Sequence, residues 1–132
     1  MSPKISRELV MHRLEKAKNE LSDAKLLYSN KSYLSANNRA YYSIFHSIRA
    51  VLALEPIDFK KHKDVLAYFN KNYVNTEIFP RSMGKRIPQA NRIREDSDYD
   101  DEYVAKPEAT QAQIETAEEL INLVEKYIDS LK

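Results

Sequence analysis

Cysteine and tryptophan are absent from this 132-residue chain, and Gly84 is its single glycine. Without a thiol there is no disulfide framework, no thiolate metal site and no cysteine nucleophile. Sheet proteins spend glycine on tight turns, so its scarcity argues for helices joined by a few loops. No apolar run approaches bilayer length, since the longest candidate, residues 44–54, is interrupted by His46 and Arg49. The N-terminal stretch MSPKISRELVMHRLEK has no apolar core of the kind a secretory signal needs. These absences predict a soluble, cytoplasmic protein with no membrane association. A glycine-rich phosphate loop and an HExxH pair are missing as well. Asp96, Asp98 and Asp100 imitate the opening of a calcium loop. Its sixth position, however, is Asp101 rather than glycine, and its twelfth is Pro107 rather than glutamate. Neither a metal site nor a cofactor is expected.

What is present fits one globular domain spanning residues 1–132. Hydrophobic residues make up 42% and charged residues 31%, enough apolar material for one core and too much for a disordered chain. The net charge of +1 conceals an asymmetry. Residues 1–94 hold 18 Lys/Arg against 8 Asp/Glu, whereas residues 95–132 hold 3 against 12. Arg81, Lys85, Arg86, Arg92 and Arg94 lie within residues 78–94 with no acid among them. Such a block suits a phosphate-binding face. It equally suits neutralisation across the fold by the acidic C-terminal part.

Apolar periodicity divides the chain into helices. Val10, Leu14, Ala17, Leu21, Ala24 and Tyr28 form a stripe that predicts a helix over about 7–28. A second helix is predicted over about 32–54, ending before Pro56. Its apolar residues cover a face and a half, so it belongs at the centre, and the excess on Tyr41–Leu52 predicts a homodimer interface. A shorter helix follows over about 60–73. Pro80, Gly84 and Pro88 make 75–105 the least regular part, with a helix starting near Pro88 and the acidic EDSDYDDEY as a loop. A last helix starts at Pro107, with Glu108 in the first turn where a negative charge suits the helix dipole. The sum is an all-α, antiparallel bundle of four long helices plus a short extra one.

Two groups of polar residues stand out. Arg39, Tyr42, His46 and Arg49 step along the central helix by three, four and three, and so share one face. A polar ridge there either locks helix packing through hydrogen bonds or lines a cleft where arginine holds phosphate and His46 moves a proton. The second group is Arg92, Arg94, Asp98 and Tyr99, at the junction of the basic and acidic segments. Arg94 and Asp98, four apart, either pair on one helix turn or leave Arg94 for a phosphate with the Tyr99 hydroxyl beside it. His12 falls off the apolar stripe and is expected in solvent. His62 follows Lys60 and Lys61 near a helix start, where a capping or local contact is expected.

NRAYYSIFHSIRAVL at 38–52, KKH at 60–62 and RIREDSDY at 92–99 together resemble the HEPN domain family, over about residues 7–131. The resemblance implies a four-helix bundle with a short extra helix, usually dimerising through a face that includes the second and third principal helices. It also implies an RNA-directed module of a toxin–antitoxin or defence system, with a minimal nucleotidyltransferase as antitoxin partner. Many members are metal-independent ribonucleases whose signature is an arginine followed, after four to six residues, by histidine. Arg94 matches that arginine, but Tyr99 stands in the place of the histidine. Arg7 with His12 and Arg39 with His46 satisfy the spacing elsewhere. On this reading Arg94, Tyr99 and His46 are the catalytic candidates, and Arg39, Arg92, Arg86 and Lys85 bind RNA phosphate. The alternative is a non-catalytic nucleotide- or protein-binding partner of a nucleotidyltransferase.

Overall fold

The computed structural model describes residues 3–132, with side chains from residue 7 onward. The first two residues of the N-terminal stretch considered above lie outside the described residues. Five helices follow one another: α1 (Pro3–Ser29), α2 (Tyr33–Leu52), α3 (His62–Phe69), α4 (Met83–Tyr99) and α5 (Pro107–Ser130). A π-helical turn, Asn70–Val74, continues α3. No strand occurs among the described residues. Four long helices and one short one make the bundle, in agreement with the sequence pattern.

The α1–α2 connection shows why the chain turns where it does. Lys31 adopts φ 62°, the left-handed conformation that terminates helices. Its amide donates to the Tyr28 carbonyl at 2.9 Å, and that of Ser32 donates to the Leu27 carbonyl at 2.8 Å. This paired pattern is a Schellman motif, which satisfies carbonyls that the helix end would leave open. The two helices then run back along each other. Ala17, Ala24, Ala36 and Ala40 are all fully buried, and the Ser43 hydroxyl reaches the Ala17 carbonyl at 2.7 Å. Small side chains here allow close approach of the two backbones.

The second helix lies at the centre and packs against each of the other four. Tyr41, Ile44, Ile48 and Val51 are fully buried, and Phe45 and Leu52 nearly so. The apolar excess that predicted a dimer interface on α2 is therefore covered within one chain.

The largest departure concerns residues 83–99. A helix starting near Pro88 and an acidic loop were expected, yet α4 begins at Met83, contains Pro88 and runs through Glu95–Tyr99. Pro88 is the sixth residue of α4, past the amides that lack partners at a helix start, so it removes one i→i−4 hydrogen bond from the second turn. Acids at a helix C-terminus oppose the dipole, and tertiary hydrogen bonds offset this. Asn37 Nδ2 donates to Ser97 Oγ at 3.1 Å, and Asn38 Nδ2 to Asp98 Oδ2 at 3.0 Å. The last turn of α4 is thus tied to α2. Gly84 faces the π-helical turn, where a Cβ would stand 3.3 Å from Asn70 Oδ1 and 3.5 Å from Val74.

Candidate functional site

The polar ridge of α2 divides. Arg49 turns to Asp58, 3.8 Å away, while Arg39, Tyr42 and His46 turn to Glu20 of α1 and to α4. Glu20 Oε1 lies 3.8 Å from Arg39 Nη1 and 3.5 Å from His46 Nε2. The Arg39 guanidinium also stands over the Tyr42 ring at 5.4 Å. His46 is 9% exposed, and its Nδ1 is buried without a hydrogen-bond partner. One ring nitrogen thus faces a carboxylate and the other faces the interior.

Arg94 enters this cluster from α4 and is itself only 9% exposed. Its guanidinium lies 4.7 Å from the centre of the Tyr41 ring and 5.9 Å from that of Tyr42, within cation–π range of both. Nη2 donates to Asn91 Oδ1 at 2.9 Å, and Nε is buried without a partner. The expected pairing with Asp98 is loose, at 3.9 Å, because that carboxylate takes a shorter bond from Asn38. Arg39 donates to Asn38 Oδ1 from Nε at 3.0 Å and from Nη2 at 2.5 Å. The sequence Arg39, Asn38, Asp98, Arg94 thus links the two arginines across α2 and α4. An open groove lined by Leu34, Ser35, Asn38, Arg39, Ser97 and Asp98 runs beside this link.

His62 joins the same cluster, although the sequence suggested only a capping or local contact for it. Its ring stacks on Phe45 at 4.0 Å, lies edge-on to Tyr42 at 5.8 Å, and places Nδ1 3.2 Å from the Tyr41 hydroxyl. The ring is half-buried. Burial, then the charge of Arg94, then His46 and Arg49 hold its pKa below the ordinary histidine value. Burial is also the main force pushing the Tyr41 phenol up to about 12, against the opposing charge of Arg94. Tyr41 therefore stays neutral across the physiological range.

The other candidates lie apart. Tyr99 is 77% exposed, with its ring outside the cluster. It follows Arg94 by five residues, more than one turn, and this carries it round α4 to the surface. His12, Arg92 and Lys85 are exposed. Arg86 turns to α5, where it contacts Glu119 at 2.6 Å and Thr116 at 3.1 Å, and Arg81 pairs with Glu77 at 2.8 Å. Three of the five cations in the basic block thus have acids within reach, Arg81 and Arg86 closely and Arg94 loosely. Among the described residues no group of acids and histidines is arranged to hold a metal ion. Nor is any described helix long and apolar enough to cross a membrane.

Glu20, Asn38, Tyr41 and His62 join the cluster although none of them carried a site role in the sequence: Asn38, Tyr41 and His62 stood only within the motifs at 38–52 and 60–62, and Glu20 was not singled out. Tyr41 looked like core, and it is core by burial; its hydroxyl and ring face are what matter. Glu20 borders the apolar stripe of α1 beside Leu21, the one signal that could have placed it near α2.

Comparison with known proteins agrees with this architecture. A protein of Thermotoga maritima named "UPF0332 protein" is 35% identical over 117 residues, covering 89% of each chain. A protein of Methanocaldococcus jannaschii named "Putative toxin MJ0605" is 35% identical over 126 residues, covering 96% of this chain and 88% of its own. A second from that organism, "Putative toxin MJ0142", is 31% identical over 117 residues, covering 89% and 80%. Residues 10–127 match the HEPN domain. With relatives aligned over most of their length and the family's domain matched from α1 to α5, the chain belongs to the HEPN family.

Proposed function

We propose that this protein is the RNA-directed member of a toxin–antitoxin or defence pair, acting in the cytoplasm as a single domain and as a homodimer. In this reading a minimal nucleotidyltransferase is its antitoxin partner. Kinship with proteins named as toxins supports the class. The observation that carries the RNA reading is the meeting of Arg94, Arg39 and His46 around Tyr41 and Tyr42. Arg39 lines an open groove and Arg94 is linked to it through Asn38 and Asp98, an arrangement that suits a phosphodiester, for which arginine offers a planar fork of donors. Arg94 would stabilise the charge that develops on phosphorus when the 2′-oxygen attacks. Arg39 and the exposed Arg92 would hold neighbouring phosphates, with the exposed Lys85 further along α4, whereas Arg86 is taken up by Glu119 and Thr116 of α5.

The test is incubation of the purified protein with structured RNA in EDTA. Cleavage that leaves 2′,3′-cyclic phosphate ends, and disappears in Arg94→Ala, is the expected result. Intact RNA after prolonged incubation would remove the ribonuclease. Two features favour the second reading, a non-catalytic binding partner: Tyr99 points outward, and Arg94 already has Asn91 and two aromatic faces as neighbours. RNA or nucleotide binding without cleavage is its signature.

A further inference from the structure

We infer that His62, held by Tyr41 and stacked on Phe45, is the residue that accepts the 2′-hydroxyl proton at this site. The inference rests on the RNA-cleaving reading above and names the missing proton carrier in it. Three side chains compete for the role. Tyr99 is outside the cluster, with its ring in solvent. His46 has one ring nitrogen on Glu20 and the other in the interior, so neither is open to a substrate. His62 alone is half-buried, with an edge outside the core and the Tyr41 hydroxyl fixing its inner nitrogen at 3.2 Å. With the hydrogen on Nδ1 donated to the Tyr41 oxygen, Nε2 keeps its lone pair as a base. Tyr41 and Tyr42 also carry Arg94 on their faces, so a phosphate at Arg94 would lie beside His62.

In the step itself, Nε2 takes the proton from the 2′-hydroxyl as the 2′-oxygen bonds to phosphorus. The bond from phosphorus to the 5′-oxygen breaks, leaving a 2′,3′-cyclic phosphate and a 5′-oxygen that takes up a proton from water or from the imidazolium. The titratable and charged groups that face His62 are Tyr41, Tyr42, His46 and Arg49 from α2 and Arg94 from α4. The nearby cations and burial keep its ring neutral to lower pH than usual, which suits a base at neutral pH.

The experiment compares wild type with His62→Asn, which retains a partner for Tyr41 but lacks Nε2, and with His62→Ala. Cleavage of single-stranded RNA is measured from pH 5 to 8, and binding is measured separately with a 2′-O-methyl strand that cannot react. In the expected result, His62→Asn loses about a hundredfold in rate, while its affinity for the methylated strand stays within about threefold of wild type. The rising acidic limb of the rate profile disappears with it, and added imidazole restores turnover to His62→Ala. Near-normal cleavage by His62→Asn, or loss only in parallel with binding, would overturn the assignment. So would a wild type that binds RNA without cutting it, which leaves RNA recognition standing. Failure of the wild type to bind the methylated strand at all would instead remove the RNA reading, and His62 with it.

Discussion

Arg94, buried over two tyrosine rings, has a structural role whatever its chemistry. A cation over two tyrosine rings contributes about 0.5–2 kcal/mol, and its removal leaves a gap between α2 and α4. Arg94→Ala should therefore lower unfolding stability by about 1–3 kcal/mol, measured by urea denaturation, while remaining folded at room temperature. Tyr99→Phe should change stability by less than about 0.5 kcal/mol, because the ring is 77% exposed. His62 adds a pH dependence. Its folded pKa lies below the ordinary value of about 6.5, so between the two values the unfolded chain binds more protons than the folded one. Stability from this group is complete above about pH 6.5 and falls as the pH drops through the folded value. Thermal melts from pH 7 down to 5 should show a decline in wild type that is smaller in His62→Asn. Equal declines would contradict the shift.

At the scale of elements, periodicity was a good guide wherever one face is apolar and a poor one where side-chain contacts decide. The stripe of Val10, Leu14, Ala17 and Ala24 located α1, and Pro107 located the start of α5. The acidic end of α4 was illegible because its helicity depends on Asn37 and Asn38, some 60 residues away. The site was half legible for the same reason. Spacing placed Arg39, Tyr42 and His46 on one face, but Glu20 and His62 reach it from other elements. One turn offers a clean test of backbone physics. Lys31 sits at φ 62°, a conformation that costs a non-glycine residue about 1 kcal/mol. Lys31→Gly should raise the melting temperature by about 2–4 °C, and a drop would mean that the lysine side chain has a stabilising role of its own.

For the whole molecule, the charge asymmetry of the sequence is partly resolved inside the fold. Lys18 meets Glu125, Lys25 meets Glu118 and Arg86 meets Glu119, all on α5. In the proposed RNA-directed function, the cations to test are therefore Arg94 and Arg39 with their exposed neighbours rather than residues 78–94 as a block. Residues 41–52 of α2 are largely covered within one chain, and the exposed large apolar residues nearest the bundle's α1–α2 face are Met11 and Leu26 of α1 and Leu34 at the start of α2. Light scattering at micromolar concentration should report twice the chain mass, and a monomer throughout that range would leave each site to a single chain. Whether the Arg94 cluster receives RNA phosphate can be read most directly from a salt titration. Anisotropy of a labelled single-stranded RNA should show affinity falling linearly with salt on logarithmic axes, and the slope should be shallower by about one in Arg94→Ala. A folded Arg94→Ala with an unchanged slope and affinity, or a wild type that fails to bind at the lowest salt, would contradict phosphate binding there.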